Sequence, residues 1–200
     1  MRGWLLDHGE LPEQSLVATC PITVRGREHG PDDGHGNMFG AWLCPLDTDL
    51  EDPAERLDLI HRSMAEGKHQ VARRGSGASL LLLAPSITPT LLLPMVPFVP
   101  KVRTGYNLSI SNVPGPRTEM YWNGAHVEEI YPVSTVSDGT ALNVTVCSYA
   151  DRISFGYLAG RDVMPDIEAV TGLTEQCLAE LEAAVGTVRY VGRPRGPAWE

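Results

Sequence analysis

The chain has 200 residues, of which 42% are hydrophobic and 20% are charged. This length and composition are typical of one folded domain with its own core, and they exclude an intrinsically disordered chain. The net charge of −9, with no concentrated basic face, excludes a general nucleic-acid-binding protein, because such proteins neutralise phosphates with clustered Lys and Arg.

The cysteine spacing and the first residues bear on the cellular compartment. No CxxC pair occurs among the four cysteines, which are Cys20, Cys44, Cys147 and Cys177. The opening stretch "MRGWLLDHGELP" does not show the basic and then apolar pattern of a secretion signal. We therefore expect a cytoplasmic chain with reduced cysteines that serve as small apolar residues.

The first quarter of the chain is predicted to contain a helix end and two strands. "MRGWLLDHGE" has the pattern of the last turns of a helix that ends near Gly9. "SLVATCPITVR" (15–25) and "NMFGAWLCPLDT" (37–48) are strand-like, and a glycine-rich loop joins them. That loop carries four side chains of the metal-ligand type: His29, Asp32, Asp33 and His35. A metal site is one interpretation, but a solvated loop is favoured because no apolar residue there would hold the geometry.

The clearest helical pattern starts at Asp52, which is placed to cap a helix with Pro53 at its first position. Arg73, Arg74 and Gly75 predict the end of that helix. The next segment, "LLLLAPSITPTLLLPMVPFVP" (80–100), is apolar enough to suggest a membrane span, but its five prolines argue against one. We expect short broken helices packed on a core, with a lipid-contacting surface as the alternative.

From Tyr106 onward the sequence is predicted to be rich in strands. "NLSISNV" alternates polar and apolar residues, and "ALNVTVCSYADRISFGYLA" (141–159) has the pattern of two strands joined by a tight turn at Ala150–Asp151. Asp166 is predicted to cap a final amphipathic helix that Gly186 closes, and residues 189–200 are predicted to be a disordered tail. Hairpin signals and helical crossovers coexist, which predicts an α/β (α+β) domain with a mixed β-sheet flanked by helices.

Two turns at strand ends are the candidate functional elements. In "SNVPGP" (111–116), two prolines and a glycine predict a rigid turn that displays Asn112. In "YPVSTVSDGTALNVTVCSYA" (131–150), Asp138 can lock a turn by hydrogen bonds and Gly139 permits a positive φ. A structural role for Asp138 is favoured, because no histidine lies beside it and the residue four positions earlier is Ser134. The sequence also contains no nucleophile elbow, Walker loop or dinucleotide fingerprint.

Taken together, these segments resemble the C-terminal domain of the bacterial wax ester synthase/diacylglycerol acyltransferase family. The matching pieces occur in order along nearly the whole chain: "GELP" with "SLVATCPITVR", "GNMFGAWLCPLDTDLEDPAERL", "NLSISNVPGP" and "YPVSTVSDGTALNVTVCSYADRISFGYLAGRDVMPD". The resemblance implies one half of a chloramphenicol-acetyltransferase-like fold, in which two similar α/β domains enclose a substrate tunnel. Residues 1–188 would be the C-terminal acyltransferase domain, with 1–9 as the end of the interdomain helix.

The resemblance also implies a division of labour between the two domains. The family's HHxxxDG motif lies in its N-terminal domain, where the second histidine acts as general base on the acceptor alcohol that attacks the acyl-CoA thioester. This sequence contains no HHxxxDG, so the resemblance implies half of an active site. No residue here is predicted to be catalytic or to bind a metal. The residues expected to line or brace the tunnel are Asn112, Pro114, Gly115, Pro116, Ser134, Asp138, Gly139 and Asn143.

The resulting hypothesis is the C-terminal portion of a long-chain acyl-CoA:alcohol or diacylglycerol O-acyltransferase. Acyl-CoA would be a substrate, with no cofactor, and a lipid alcohol would be the acceptor. The other partners would be the missing N-terminal domain or a second copy of the chain, and a lipid surface contacted peripherally. The alternative is a non-catalytic module that binds acyl chains or a partner acyltransferase and is the remnant of a truncated gene. Whether this chain alone is an enzyme stays open, because the base is missing.

Overall fold

The computed structural model describes residues 1–23, 39–92, 105–136 and 139–185. Over these ranges the chain alternates helices and strands, which confirms the predicted α/β class. In chain order the elements are α1 (Arg2–Asp7), β1 (Val17–Thr23), β2 (Phe39–Pro45), α2 (Pro53–Leu92), β3 (Leu108–Val113), β4 (Tyr121–Trp122), β5 (Ala125–His126), β6 (Leu142–Tyr149), β7 (Arg152–Ala159) and α3 (Glu168–Val185).

Five of the strands form one mixed sheet in the order β2-β1-β3-β6-β7. The central pairs β1–β3 and β3–β6 are parallel, whereas the outer pairs β1–β2 and β6–β7 are antiparallel. Parallel neighbours need long connections. One of these connections is α2, and the other runs through residues 114–136, which we call the crossover segment. Within it, β4 and β5 form a separate hairpin, whose Asn123–Gly124 turn has positive φ at both residues.

The two faces of the sheet are covered in different ways. On one face, helices pack over a core that includes Trp4 of α1, Val170 of α3, and the strand residues Leu108 and Leu142. Leu108 and Leu142 are 2% and 0% exposed, respectively. On the opposite face, the polar side of β6 is covered by the crossover segment rather than by a helix. The predicted alternation of apolar and polar side chains along β6 is correct. Both faces of the strand are buried at Leu142 and Asn143.

Helix α2 corrects two predictions. It begins at Pro53 as expected, with the backbone N–H of Ala54 donating to Asp52 Oδ1 at 2.8 Å. It does not end at Arg73–Gly75 but continues to Leu92, so residues 80–92 are not short broken helices; residues 93–100 lie outside the described ranges. Relative to alanine, glycine and proline destabilise a helix interior by about 1 and 3 kcal/mol. A cost of this size lowers helix stability without necessarily ending the helix. The leucine-rich stretch that follows Gly75 favours the helix. None of the helices in the described ranges has the length and apolar character needed to cross a bilayer.

The junction between α1 and α3 corrects the prediction for Asp166. Helix α3 begins at Glu168, and the Asp166 carboxylate reaches back to α1 instead of capping α3. Its Oδ1 accepts a hydrogen bond from Trp4 Nε1 at 3.1 Å, and its Oδ2 lies 3.3 Å from His8 Nε2. The His8 ring stacks on Trp4 with centroids 4.0 Å apart. The predicted end of α1 is confirmed, since Gly9 follows with φ of 65°.

Several predictions concern residues outside the described ranges. The glycine-rich loop with His29, Asp32, Asp33 and His35 is one of them, and so are Gly186 and the tail 189–200. The domain limit at residue 188 therefore stays a prediction. In the part of the chain that the structure describes, no group of three or more metal-ligating side chains comes together.

The cysteines are free thiols, and three of them are buried as predicted: Cys20, Cys44 and Cys147, whereas Cys177 is exposed. Cys20 and Cys44 lie on adjacent strands within the helix-covered core. The hydrogen bond between their thiols lowers the pKa of Cys44 to about 7, and the Ser63 hydroxyl acts in the same direction. The same hydrogen bond, together with burial, raises the pKa of Cys20.

Candidate functional site

The polar face of β6 is the base on which the candidate site is built. Asn143 is 8% exposed, and its Nδ2 donates to the backbone oxygen of Thr135 at 3.1 Å. Thr145, which is also buried, donates through Oγ1 to Asn143 Oδ1 at 2.9 Å. The Asn143 amide is thus oriented by Thr145 through its oxygen. Its nitrogen binds the backbone of Thr135, the residue after Ser134. The structure therefore brings Ser134 and Asn143 together through Thr135.

The crossover segment also lies directly on β7 at Gly156. A Cβ atom added to Gly156 would overlap the backbone oxygen of Pro132, so only glycine permits this approach. Gly156 is the register partner of Thr145 on β6. The chain from Pro132 to Thr135 therefore follows the sheet surface from Gly156 to Asn143. This close contact fixes the position of Ser134 between two anchored points.

The "SNVPGP" turn is anchored at the opposite end of β6. The backbone N–H of Gly115 donates to Ser148 Oγ at 3.1 Å, and the oxygen of Pro116 accepts from the N–H of Ala150 at 2.9 Å. A Cβ on Gly115 would overlap the Ser148 carbonyl oxygen. The backbone of residues 115–116 is therefore tied to the end of β6, but residues 114–116 form no regular turn, so the predicted turn is wrong in this detail. Asn112, which lies within β3, and Pro114, which follows the strand, have exposed side chains.

The predicted site residues fall into two groups at opposite ends of β3 and β6. Asn112 is in register with Val146, whereas Asn143 is in register with Ser109. Along the strand direction, Asn112 and Asn143 are therefore three residues apart, which is about 10 Å at the usual rise of 3.3 Å per residue. Asn112 and Asn143 therefore do not belong to one compact cluster.

The start of β6 leads to a different part of the molecule. Gly139 has φ of 87°, as predicted, while Asp138 lies outside the described residues. Gly139 lines a mainly apolar cavity of about 240 Å³ under α1, together with residues that include Trp4, Leu142 and Met164. It therefore belongs to the helix-covered side of the sheet, away from Asn112.

One residue that contributes strongly to this region escaped sequence analysis. Tyr149, the last residue of β6, is 3% exposed. Its hydroxyl donates to the oxygen of Val127 at 2.6 Å and accepts from the N–H of Met120 at 2.8 Å. Met120 and Val127 are the two residues that flank the β4–β5 hairpin. A signal was present in the sequence, because Tyr149 continues the alternate positions of Asn143 and Thr145.

The hairpin bears two strongly exposed aromatic side chains. Tyr121 is 64% exposed and Trp122 is 75% exposed. Charged groups surround its base: His126 Nε2 lies 3.6 Å from Glu119 Oε2, and an ion pair of 2.9 Å joins Arg152 to Glu129. The hydroxyl of Tyr131 also bonds to Glu129, which raises the pKa of Tyr131. A polar cavity of about 500 Å³ lies between the hairpin and the β6–β7 turn.

The chemistry that these contacts support is positioning. The side chains of Asn143, Ser148 and Tyr149 use their polar groups to hold the backbone of the crossover segment, and Thr145 orients Asn143. These contacts hold the crossover segment against the sheet at several points along β6.

Comparison with known proteins decides the family. The sequence profile of the family described as WS/DGAT C-terminal domain matches residues 35–182. The chain belongs to this family. A putative diacylglycerol O-acyltransferase of Mycobacterium tuberculosis is 41% identical over 191 residues, which span 93% of this chain and 41% of the relative. A probable diacylglycerol O-acyltransferase of the same organism is 34% identical over 93% of this chain and 40% of its own length.

A solved structure agrees with this assignment. The wax ester synthase/diacylglycerol acyltransferase from Marinobacter aquaeolei VT8 matches with a TM-score of 0.74 and 35% identity, over 92% of this chain and 41% of that chain. The resemblance found in the sequence and the predicted fold class are therefore confirmed. This WS/DGAT C-terminal domain spans about two fifths of the length of the relatives that it matches.

Proposed function

We propose that the chain is the C-terminal part of a long-chain acyl-CoA:alcohol or diacylglycerol O-acyltransferase and supplies one wall of its substrate tunnel. The observation that carries this proposal is the alignment of nearly the whole chain with proteins described as diacylglycerol O-acyltransferases. The substrates would be a long-chain acyl-CoA and a lipid alcohol. The products would be a wax ester or triacylglycerol together with free coenzyme A.

The tunnel-wall role is supported by the backbone contacts that hold residues 115–116 and 132–135 against the sheet. Gly115 and Pro116 are tied to the end of β6, and Ser134 lies between two anchored contacts of the crossover segment. Asn112 and Pro114 remain exposed, so their side chains are accessible to a substrate or a second domain. A wall of this kind acts by holding substrates in a reactive geometry, which can contribute several kcal/mol to catalysis.

The proton transfer would be performed outside this chain. No HHxxxDG motif occurs in the sequence, and the relatives extend well beyond the matched region. A positioned general base typically contributes about 10²–10⁴-fold to the rate. We therefore propose that an N-terminal portion of the acyltransferase supplies this base and is the chain's main partner.

We also propose a cytoplasmic protein that contacts a lipid surface peripherally. This part of the proposal is supported by exposed apolar side chains such as Leu81 on α2, Trp122 on the hairpin and Val133, which are 75%, 75% and 88% exposed. The negative net charge favours an uncharged or zwitterionic surface over an anionic one. Self-association through the same apolar residues is the competing outcome.

A second candidate function is a non-catalytic module that binds acyl chains or a partner acyltransferase. The observation in its favour is the absence of the base motif from the sequence. It predicts binding of acyl-CoA without turnover, even when an N-terminal portion is present.

The test is thiol release from palmitoyl-CoA with hexadecanol or diacylglycerol as acceptor. The 200-residue chain is assayed alone and joined to the N-terminal portion of a relative that carries HHxxxDG. We expect acceptor-dependent release from the joined protein and none from the chain alone. The control is the joined protein with the second histidine of that motif changed to Ala, which should lose about 10²–10⁴-fold in rate.

Two results would contradict the proposal. Release by the chain alone would show that it contains its own base. A folded joined protein that binds palmitoyl-CoA but releases no thiol would support the non-catalytic module instead.

A further inference from the structure

We infer that the Tyr149 hydroxyl is a positioning group that sets the orientation of the β4–β5 hairpin, and through it the placement of Tyr121 and Trp122 on the surface proposed above to contact lipid. The consequence for catalysis rests on the proposed function. The structural part rests only on contacts within this chain, so the two parts can fail separately.

The hairpin needs an external support. Each of its strands has two residues, and neither strand pairs with the five-stranded sheet. An isolated hairpin of this size is at best marginally stable in water. One backbone hydrogen bond, from Val127 N–H to the oxygen of Met120 at 2.9 Å, closes its base. That bond joins the two arms to each other but does not fix their direction relative to β6.

Tyr149 supplies the missing connection. A single buried hydroxyl bonds both arms, since it accepts from Met120 N–H and donates to the oxygen of Val127. Because its ring is anchored in β6, the two bonds define where the base of the hairpin lies.

The neighbouring contacts do not replace this connection. Among the described residues, the entry of the crossover segment is held at Pro116 by Ala150, and its exit is held at Thr135 by Asn143. Between these two points, Pro132 packs on Gly156 of β7 beyond the hairpin, and the ion pair of Arg152 with Glu129 also reaches β7. Its side chains are 63% and 43% exposed, and exposed pairs of this kind contribute little.

The consequence is a rotation of the exposed tip when the hydroxyl is lost. Tyr121 and Trp122 lie directly beyond Met120, and Tyr121 also contacts the His126 ring at 5.2 Å, so the arms should move as one unit. A displacement of about 1 Å in a positioning element can reduce a rate by about 10²-fold. Tyr149 itself need not touch a substrate, because it would act through the hairpin.

The first experiment measures amide hydrogen exchange by mass spectrometry on the 200-residue chain. Tyr149→Phe removes one oxygen atom and keeps the buried ring. We expect amides in 117–131 to exchange about tenfold faster, with α2 and α3 unchanged. The matched control is Tyr157→Phe, which removes the hydroxyl bonded at 2.7 Å to Thr174 Oγ1, at the α3 side of the sheet. That variant should leave the exchange of 117–131 unchanged.

The second experiment introduces the same two substitutions into the joined acyltransferase. Tyr149→Phe should raise KM for the acceptor or lower kcat about tenfold or more, whereas Tyr157→Phe should change neither value by that amount. If the unsubstituted joined protein is inactive, the proposed function fails and hydrogen exchange alone decides the role of Tyr149.

Three results would overturn the inference. The first is unchanged exchange in 117–131 in a folded Tyr149→Phe chain. The second is failure of that variant to fold, because the hydroxyl would then be a requirement of the core. The third is faster exchange with unaltered KM and kcat, which would show that the hairpin takes no part in acceptor binding or turnover.

Discussion

The packing of α2 on the sheet makes a sharp prediction at Gly67. This buried glycine of the 40-residue helix faces the indole of Trp42 on β2. A Cβ atom at this position would lie 2.5 Å from Trp42 Cγ and 2.7 Å from Cδ1. Real Cβ atoms almost never come closer than 3.0 Å to another heavy atom, so Gly67→Ala requires either the helix or the indole to move.

The cost can be estimated from the contacts that such a movement disturbs. Overpacking by one methyl group typically costs about 1–3 kcal/mol. Rotation of the indole would also break the hydrogen bond from Trp42 Nε1 to Ser63 Oγ, which measures 3.1 Å, and a bond of this kind is worth about 1 kcal/mol. Alanine recovers about 1 kcal/mol through its better helix propensity. The net expectation for Gly67→Ala is a loss of about 1–3 kcal/mol, which lowers Tm by roughly 3–10 °C.

A matched control separates the steric term from helix propensity. Gly172 lies in α3, and a Cβ at that position would have no atom within 4 Å. Gly172→Ala should therefore stabilise the chain by about 0.5–1 kcal/mol. Urea unfolding followed by circular dichroism measures both variants. The reasoning is refuted if the two substitutions change the free energy of unfolding equally. Trp42→Leu in the Gly67→Ala background should cost less than the sum of the two single changes.

Two further predictions concern the "SNVPGP" turn and the buried thiol pair. Gly115→Ala should destabilise the chain by about 2–4 kcal/mol. The added Cβ would overlap the Ser148 carbonyl oxygen and push residues 114–116 away from their hydrogen bonds. A decrease in Tm of less than about 2 °C would contradict this expectation. Cys44 has a pKa of about 7 in the folded chain against an ordinary value of 9.0. Between pH 7 and 9 the unfolded state therefore binds more protons than the folded state, and the free energy of unfolding should rise with pH. Urea unfolding at both pH values, with Cys44→Ala as reference, measures this component, and an equal pH dependence of the two chains would exclude it.

The local features of the fold followed from the sequence because their signals are local. The Asp52 cap, the β6–β7 hairpin with its turn at Ala150, and the end of α1 at Gly9 each depend on a few neighbouring residues.

The features that escaped prediction depend on residues far apart in the chain. Asp166 has the sequence context of a helix cap, but Trp4, which lies 162 residues away, takes its carboxylate. Tyr149 follows an alternating strand, and nothing local shows that its hydroxyl reaches the hairpin. Helix α2 passes Gly75 because favourable residues on both sides offset the local penalty, which a search for stop signals does not count.

The candidate site was predicted in part. The positive φ of Gly139 was correct, since it follows from residue type, whereas residues 114–116 form no regular turn. The sequence placed Asn143 in the site but did not show that its amide is used to hold Thr135. The separation of Asn112 and Asn143 along the strands follows from the parallel register of β3 and β6, which only the fold reveals.

The Trp4–His8–Asp166 junction bears on how acyltransferases of this family can be recombined. Trp4 is 4% exposed and fills the core of this domain, although α1 precedes the first strand. A chimera spliced at Gly9 would graft a foreign helix onto this core and would separate Trp4 from its bond to Asp166. A splice placed on the N-terminal side of α1 keeps the helix with the sheet that it packs on. An exchange that preserves this junction therefore moves α1 together with the sheet.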